Sequence, residues 1–282
     1  MRIGIVGLGL IGGSLAIDLR RQGHHLLGVS RRLETCQQAV RQGIVDQAEP
    51  EMGLMADAEV VFLCTPLGAL AAAVAQLLPQ LSPAAILTDV GSVKAPVVDQ
   101  MAAVGWSNFV GGHPMAGKAE SGLEAAEAGL FVDRAYVLTP VETTPPAAVE
   151  TVAALAQSLH SQIYYCDPAA HDRAVAWISH LPVMLSASLI AACLAEPDAS
   201  VIELAQSLAS SGFRDTSRVG GGNPELGVMM ARYNQSALLE SLLAYREQLD
   251  QMIQSVQQQN WLELEQKLIQ TQQGRSKFTI CK

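Results

Sequence analysis

Short apolar runs separated by stretches of helical period fill the first 166 residues. Residues 1–6, 26–29, 60–64, 84–89, 109–113, 134–139 and 162–166 are too brief for core helices and dominated by aliphatic side chains. That is the pattern of parallel strands buried on both faces. Between them, residues 14–21 and 67–78 repeat apolar positions every three or four residues. A further helix is expected from about Lys94, and another opens at Thr143-Thr-Pro-Pro146, where proline suits a first helical turn. Strands alternating with helices predict a mostly parallel sheet covered on both sides.

The pattern changes after Asp167-Pro168. Residues 171–194, 202–209 and 226–268 keep helical spacing, and strand-like alternation stops. The prediction is an α/β Rossmann-type nucleotide-binding domain over residues 1–166, followed by an all-α C-terminal dimerisation domain over 167–282. Residues 171–194 are apolar almost all round, so that helix must be buried, within its own domain or between subunits. A homodimer is expected on this ground. The polar, basic tail after Gln273 is expected to be loosely held. No repeat of solenoid period is present in the sequence.

Composition adds limits. The 282 residues carry a formal charge of −9 and are 49% hydrophobic, enough for full cores and without electrostatic support for a nucleic-acid partner. No stretch reads as an unbroken membrane span, and the first strand runs straight into a glycine turn with no basic leader. The cysteines at 36, 64, 166, 193 and 281 are odd in number and scattered. They suggest reduced thiols rather than disulfides or a zinc site. A cytoplasmic protein without metal or membrane partner is expected.

The first strand ends in Gly7-Leu-Gly9-Leu-Ile-Gly12-Gly-Ser14. In a strand–turn–helix context, Gly7 permits the turn, Gly9 admits a pyrophosphate to the backbone and Gly12 lets helix pack on strand. Leu10 and Ile11 bring free N–H groups at the helix start. The second strand runs into Ser30-Arg31-Arg32 where an acid would bind the ribose of NAD. Uncharged Ser30 tolerates a 2′-phosphate, and the two guanidinium groups can bind it, so NADP is the expected cofactor. The other reading of the arginines is a solvated charge pair.

Ligands of open parallel sheets lie beyond the carboxyl ends of the strands. Thr65 (followed by Pro66), Ser92 and His113 end strands and should share a crevice with the glycine turn, Thr65 and Pro66 on the cofactor side. His113, in Gly111-Gly-His-Pro, suits a general base for a substrate hydroxyl; the alternative is a structural histidine. Ser179 and His180 precede Pro182, which would kink the long helix and make a cavity wall there. A core histidine is the competing reading. Arg218, in a loop between helices, could reach an anion in the cleft, or pair with Asp215 on the surface.

These stretches resemble the prephenate/arogenate dehydrogenase family. The resemblance rests on Gly7–Ser14, Asp89-Val-Gly-Ser-Val-Lys94, Gly112-His-Pro-Met-Ala-Gly117, His171-Asp172 with Ser179-His-Leu-Pro182, and Gly212-Phe-Arg-Asp-Thr-Ser-Arg218, in family order over most of the chain. With Ser30-Arg-Arg32 the chain is most similar to the NADP-using members that act on arogenate. The resemblance implies an oxidative decarboxylation in tyrosine biosynthesis: hydride leaves C4 of a cyclohexadiene, the C1 carboxylate leaves as CO₂, and the ring becomes a phenol. It implies that His113 takes the hydroxyl proton, that Ser92 bonds the same hydroxyl or holds His113, that Arg218 binds a substrate carboxylate, and that His180, with Ser179, positions the other end. Val183 stands where many prephenate-using members have histidine, and Lys118-Ala119 stands where some have Thr-Glu. Lys118 either assists a carboxylate or faces solvent. Prephenate as substrate is the alternative. The rival classes are a hydroxyacid or imine reductase, and an NADP-sensing subunit without turnover.

Overall fold

The computed structural model describes residues 1–118 and 120–278; Ala119 and Cys281 lie outside them. Eight strands form one sheet: β1 (Arg2–Val6), β2 (His25–Val29), β3 (Gln47–Glu49), β4 (Val60–Leu63), β5 (Ile86–Asp89), β6 (Phe109–Pro114), β7 (Ala135–Thr139) and β8 (Gln162–Tyr165). Their order is β3-β2-β1-β4-β5-β6-β7-β8, parallel throughout except for the antiparallel β6–β7 pair. β3 was not anticipated; its sequence, Gln-Ala-Glu, has too few apolar residues to signal a strand.

The helices in chain order are α1 (Leu10–Arg21), α2 (Leu33–Arg41), α3 (Leu67–Leu77), α4 (Ala95–Ala103), α5 (Pro146–Ser158), α6 (Pro168–Val175), α7 (Leu181–Leu194), α8 (Ala199–Leu208), α9 (Ser211–Ser217), α10 (Pro224–Tyr233), α11 (Gln235–Gln257) and α12 (Trp261–Arg275). The pleat sends alternate residues to opposite faces of the sheet. Ile3, Ile5, Val60 and Phe62 pack with Leu15 and Leu19 of α1 and Val152 and Leu155 of α5. Val6, Val61 and Leu63 pack on the other face with Leu70 and Val74 of α3 and Val97 and Met101 of α4. This two-sided burial explains the near-continuous apolar runs in the sequence.

α1 starts at Leu10, four residues earlier than the apolar period indicated, because Gly9 already serves as its N-cap. The long periodic stretch after residue 224 is three helices, α10 to α12, rather than one. The segment expected as one helix over 171–194 is interrupted by a π-helical turn at Ala176–His180. Pro182 has no N–H to give to the carbonyl of Ile178, so the ordinary ladder cannot run through that point.

Within the 27 residues of Pro168–Leu194 an 18-residue window has a mean hydropathy of 1.7, apolar enough to cross a bilayer by length and composition alone. Only 17% of that window is buried within the chain. Trp177, Ile178 and Leu194 are exposed, so burial inside its own chain is not what its composition serves. At its start, however, His171 and Asp172 are buried and hydrogen-bonded into the sheet unit, an arrangement unsuited to a free-standing span.

Two compact units divide the chain, Met1–Gln235 and Ser236–Lys282. The first holds the sheet and also α6 to α10: α6 packs on α4, and α10 packs on α3. The second holds most of α11 and all of α12. Every site residue considered below belongs to the first unit.

Candidate active site

The glycine turn stands at the carboxyl end of β1. Gly7 has φ +108°, a conformation reserved for glycine, and its N–H donates to the Val29 carbonyl at 2.9 Å. A Cβ on Gly12 would lie 2.0 Å from the Gly7 oxygen, so only glycine lets α1 approach the strand this closely. A Cβ on Gly9 would meet nothing within 4 Å: the space above the turn is open. Leu10 and Ile11 begin α1 there, with the unpaired N–H groups of a helix start. This cradle fits the pyrophosphate of a dinucleotide.

The Gly7–Val29 hydrogen bond also places the end of β2 beside the turn. Ser30 follows directly; Arg31 and Arg32 are exposed, and Arg32 is the N-cap residue of α2. Thr65 and exposed Pro66 follow β4, and Pro66 leads into α3. The Thr65 hydroxyl is buried without a protein partner, an orphan that suits a ligand in the cradle.

Beside the cradle, β5 and β6 carry a buried polar cluster. Asp89 at the end of β5 accepts from the N–H groups of Gly91 at 2.8 Å and Gly112 at 3.1 Å. The Lys94 ammonium, fully buried, is paired with Asp89 and donates to the Gly112 carbonyl at 2.6 Å. Burial pulls the Lys94 pKa down, and Asp89 offsets part of that. Gly112 must be glycine because a Cβ would sit 2.6 Å from the Asp89 carbonyl oxygen. Lys94 and Asp89 together pin the strand position immediately before His113.

His113 lies one residue before the end of β6, as expected, opposite Val137 of β7. Its Nδ1 is 2.8 Å from Nε2 of His171, with the rings edge to face at 74°. His171 Nδ1 is 2.8 Å from Asp172 Oδ1. Asp172 accepts from the N–H groups of Lys94 at 2.6 Å and Ala95 at 2.8 Å, capping α4. Burial, then the electrostatic influence of Lys94, His171 and His180, holds the His113 pKa well below the usual histidine value. A neutral imidazole in this place is available as a proton acceptor.

His180, in the π-helical turn, is buried. Its Nδ1 is 3.1 Å from the Asn234 amide nitrogen, which also donates to the Asp172 carbonyl at 2.8 Å. The amide nitrogen is a donor, so Nδ1 accepts and Nε2 carries the hydrogen. That Nε2 is buried without a protein partner. Burial lowers the His180 pKa, which keeps the ring neutral.

The remaining expected site residues are less convergent. Ser92 sits half-buried in the turn between β5 and α4, and Ser179 half-buried beside His180. Arg218 is the exposed C-cap residue of α9; the segment before it is a helix, where a loop was expected. Asp215 pairs with its neighbour Arg214 at 3.2 Å, not with Arg218. After Arg218, the Gly220 N–H donates to Ser186 on α7 at 2.7 Å, which docks this end of α9 on the long helix. Lys118 neither faces solvent alone nor joins the histidine cluster: it pairs with Glu127 at 2.8 Å, and the Glu127 N–H donates to Ser14 of α1. Lys94, Asp89, His171, Asp172 and Asn234 were not singled out as functional. The clue for Lys94 and Asp89 was two opposite charges five positions apart in an otherwise apolar strand–turn–helix. The contact of Asn234 with His180 spans 54 residues and has no local signature.

Comparison with known proteins agrees with this geometry. Residues 15–165 match the family model for the prephenate dehydrogenase nucleotide-binding domain, and 167–270 the model for the prephenate dehydrogenase dimerization domain. Prephenate dehydrogenase of Bacillus subtilis is 31% identical over 91% of this chain and 70% of its own length. Among solved structures, Synechocystis arogenate dehydrogenase is 54% identical and superposes with a TM-score of 0.91 over 99% of this chain and all of that one. Prephenate dehydrogenase of A. aeolicus, in complex with hydroxyphenyl propionate and NAD+, is 25% identical with a TM-score of 0.93 over 99% and 98%. The chain therefore belongs to the prephenate dehydrogenase family, the dehydrogenases of tyrosine biosynthesis, with a Rossmann-like nucleotide-binding domain followed by helices of the dimerization-domain type.

Proposed function

We propose that the chain is an arogenate dehydrogenase that uses NADP, with His113 as the general base. The observation that carries this reading is a half-buried histidine at the same sheet edge as the glycine turn, its Nδ1 already engaged by His171 and its pKa held low by desolvation. The substrate hydroxyl would approach the remaining nitrogen, Nε2. Gly7, Gly9, Leu10, Ile11, Gly12, Thr65 and Pro66 would hold the dinucleotide, with Ser30, Arg31 and Arg32 on its 2′-phosphate. When bound, that cofactor supplies the hydride acceptor.

His113 takes the C4 hydroxyl proton as hydride departs from C4, and the bond from C1 to its carboxylate breaks to release CO₂. The electron pair from that bond completes the aromatic ring. Ser92 hydrogen-bonds the same hydroxyl, since Nδ1 of His113 is already taken. His180 offers its Nε2–H to the substrate's polar end, Ser179 stands beside it, and Arg218 binds a carboxylate. Lys118, paired with Glu127, assists at a substrate carboxylate. The functional division at 166/167, supported by the spans of the two family models, separates cofactor binding from the helical part. Exposed Trp177, Ile178 and Leu194 support a homodimer that buries them, and the compartment proposed for it is the cytoplasm.

Arogenate is preferred to prephenate because the 54% identical structure is an arogenate dehydrogenase and Ser30-Arg31-Arg32 suits NADP. The deciding measurement is reduced-cofactor formation and CO₂ release from each substrate with each cofactor. The expected result is the highest kcat/KM with arogenate and NADP. A higher value with prephenate or with NAD overturns the corresponding half of the assignment.

A further inference from the structure

Asp172 accepts two backbone N–H groups at the head of α4, where the helix dipole also favours an anion. It is therefore an ionised, acceptor-only side chain, and His171 Nδ1 must carry the hydrogen of their 2.8 Å contact. A neutral His171 then has its lone pair on Nε2. The His113 Nδ1, 2.8 Å away, must donate to it. A neutral His113 in that bond has its own lone pair on Nε2.

We propose that His171 and Asp172 are positioning residues which, as a chain Asp172–His171–His113, fix the tautomer of His113 and aim a bare Nε2 at the substrate hydroxyl. The proposal rests on His113 being the base, but the tautomer is a property of the free protein. Without the chain, a lone imidazole would divide between two tautomers, and the one with hydrogen on Nε2 cannot accept a proton there. During turnover the hydroxyl proton bonds to Nε2. The resulting positive charge is stabilised through the N–H···N bond to His171 and the N–H···O bond to the carboxylate, and no proton need leave the chain. The wrong tautomer in an aspartate–histidine pair is known to cost up to about 10⁴ in kcat.

The charged and titratable groups around His113 come from four elements. Lys94 lies at the head of α4 with Asp89 of β5 bound to it, His171 and Asp172 are on α6, and His180 is in the π-helical turn. Lys94, His171 and His180 disfavour the imidazolium, whereas Asp172, acting through its hydrogen bond to His171, favours it. Removing His171 should therefore move the acid limb of kcat/KM as well as lower kcat.

The test uses the full chain labelled with [¹⁵N]histidine, ligand-free at pH 8, with long-range ¹⁵N–¹H spectra. The expected result is His113 as the Nδ1–H tautomer, with a substantial Nε2–H population appearing in His171→Leu. In turnover, His171→Leu should lower kcat by roughly 10² or more with the dissociation constant for NADPH unchanged. His171→Gln, whose amide oxygen can still accept from Nδ1–H, should recover at least about tenfold of that. A wild-type His113 in the Nε2–H form, a cationic His171, or an unchanged tautomer in His171→Leu overturns the proposal. The wild-type spectrum decides the matter even if the leucine variant does not fold. The expected spectrum without turnover of either substrate would support the chain of hydrogen bonds and reject the base assignment instead.

Discussion

Lys94→Met removes the cation paired with Asp89 while keeping much of the side-chain volume. Asp89 retains two backbone donors, from Gly91 and Gly112, but becomes a buried anion without a counter-charge. The Gly112 carbonyl loses the Lys94 ammonium as donor. Breaking a buried pair from one side costs about 3–5 kcal/mol, much of it the stranded charge. Against a total of about 5–15 kcal/mol for a folded domain, that is a large share. With a urea dependence of about 3 kcal/mol per molar, the midpoint should fall by about 1–1.7 M. The assay is equilibrium urea unfolding of cofactor-free protein, followed by circular dichroism and tryptophan fluorescence together. Adding Asp89→Asn neutralises the stranded anion, so the double variant should be more stable than Lys94→Met alone. A loss below about 1 kcal/mol in the single variant, or a double variant no better than the single, would refute the reasoning.

Other consequences are more local. His113→Asn should lower kcat by roughly 10²–10⁴ with cofactor affinity little changed, and a near-wild-type kcat rejects it as base. Because the His113 pKa is held down, the base stays deprotonated at pH values where a free histidine is charged; the acid limb of kcat/KM should lie below about 6.5, and a midpoint at or above that value contradicts the burial argument. The same sign holds for stability: the unfolded chain takes up a proton near pH 6.5 that folded His113 refuses, so the His113 contribution is lost as pH falls below that point. Gly9→Val should weaken cofactor binding with an unchanged urea midpoint, since its Cβ meets only open space, whereas Gly12→Ala should lower the midpoint itself. Arg218→Ala should chiefly raise KM, and unchanged substrate binding would remove it as the carboxylate anchor.

The α/β half of the fold was legible because burial on both faces leaves a pattern in consecutive residues: Ile3, Ile5, Val60 and Phe62 are apolar for one layer, Val6, Val61 and Leu63 for the other. The glycine turn was legible because steric constraints at Gly7 and Gly12 act within a few positions. The Asp172–His171–His113 chain was not. His113 and His171 are 58 positions apart, and their meeting depends on how α6 docks against α4, which no local pattern encodes. β3 was missed for a different reason, since an edge strand of three residues need bury little to pair. The apolar stretch at 171–194 was read as buried because periodicity reports the need for a cover and not what provides it.

The π-helical turn changes how distance along the chain should be counted. His171 and His180 are nine positions apart, which in an unbroken α-helix is about 900° of rotation and sets them on opposite sides. One extra residue absorbed in the turn makes the effective separation eight, about 800°, so the two rings lie within about 80° of each other around the axis. Asn234 can then reach both His180 and the Asp172 carbonyl with a single amide. The turn thus works as a rotational spacer: it leaves α7 free to continue as an apolar rod while bringing two imidazoles into the same quadrant. A one-residue deletion at Trp177 or Ile178 would be absorbed by straightening the helix, whereas a one-residue insertion on the α6 side of the turn would swing His180 away by about 100°.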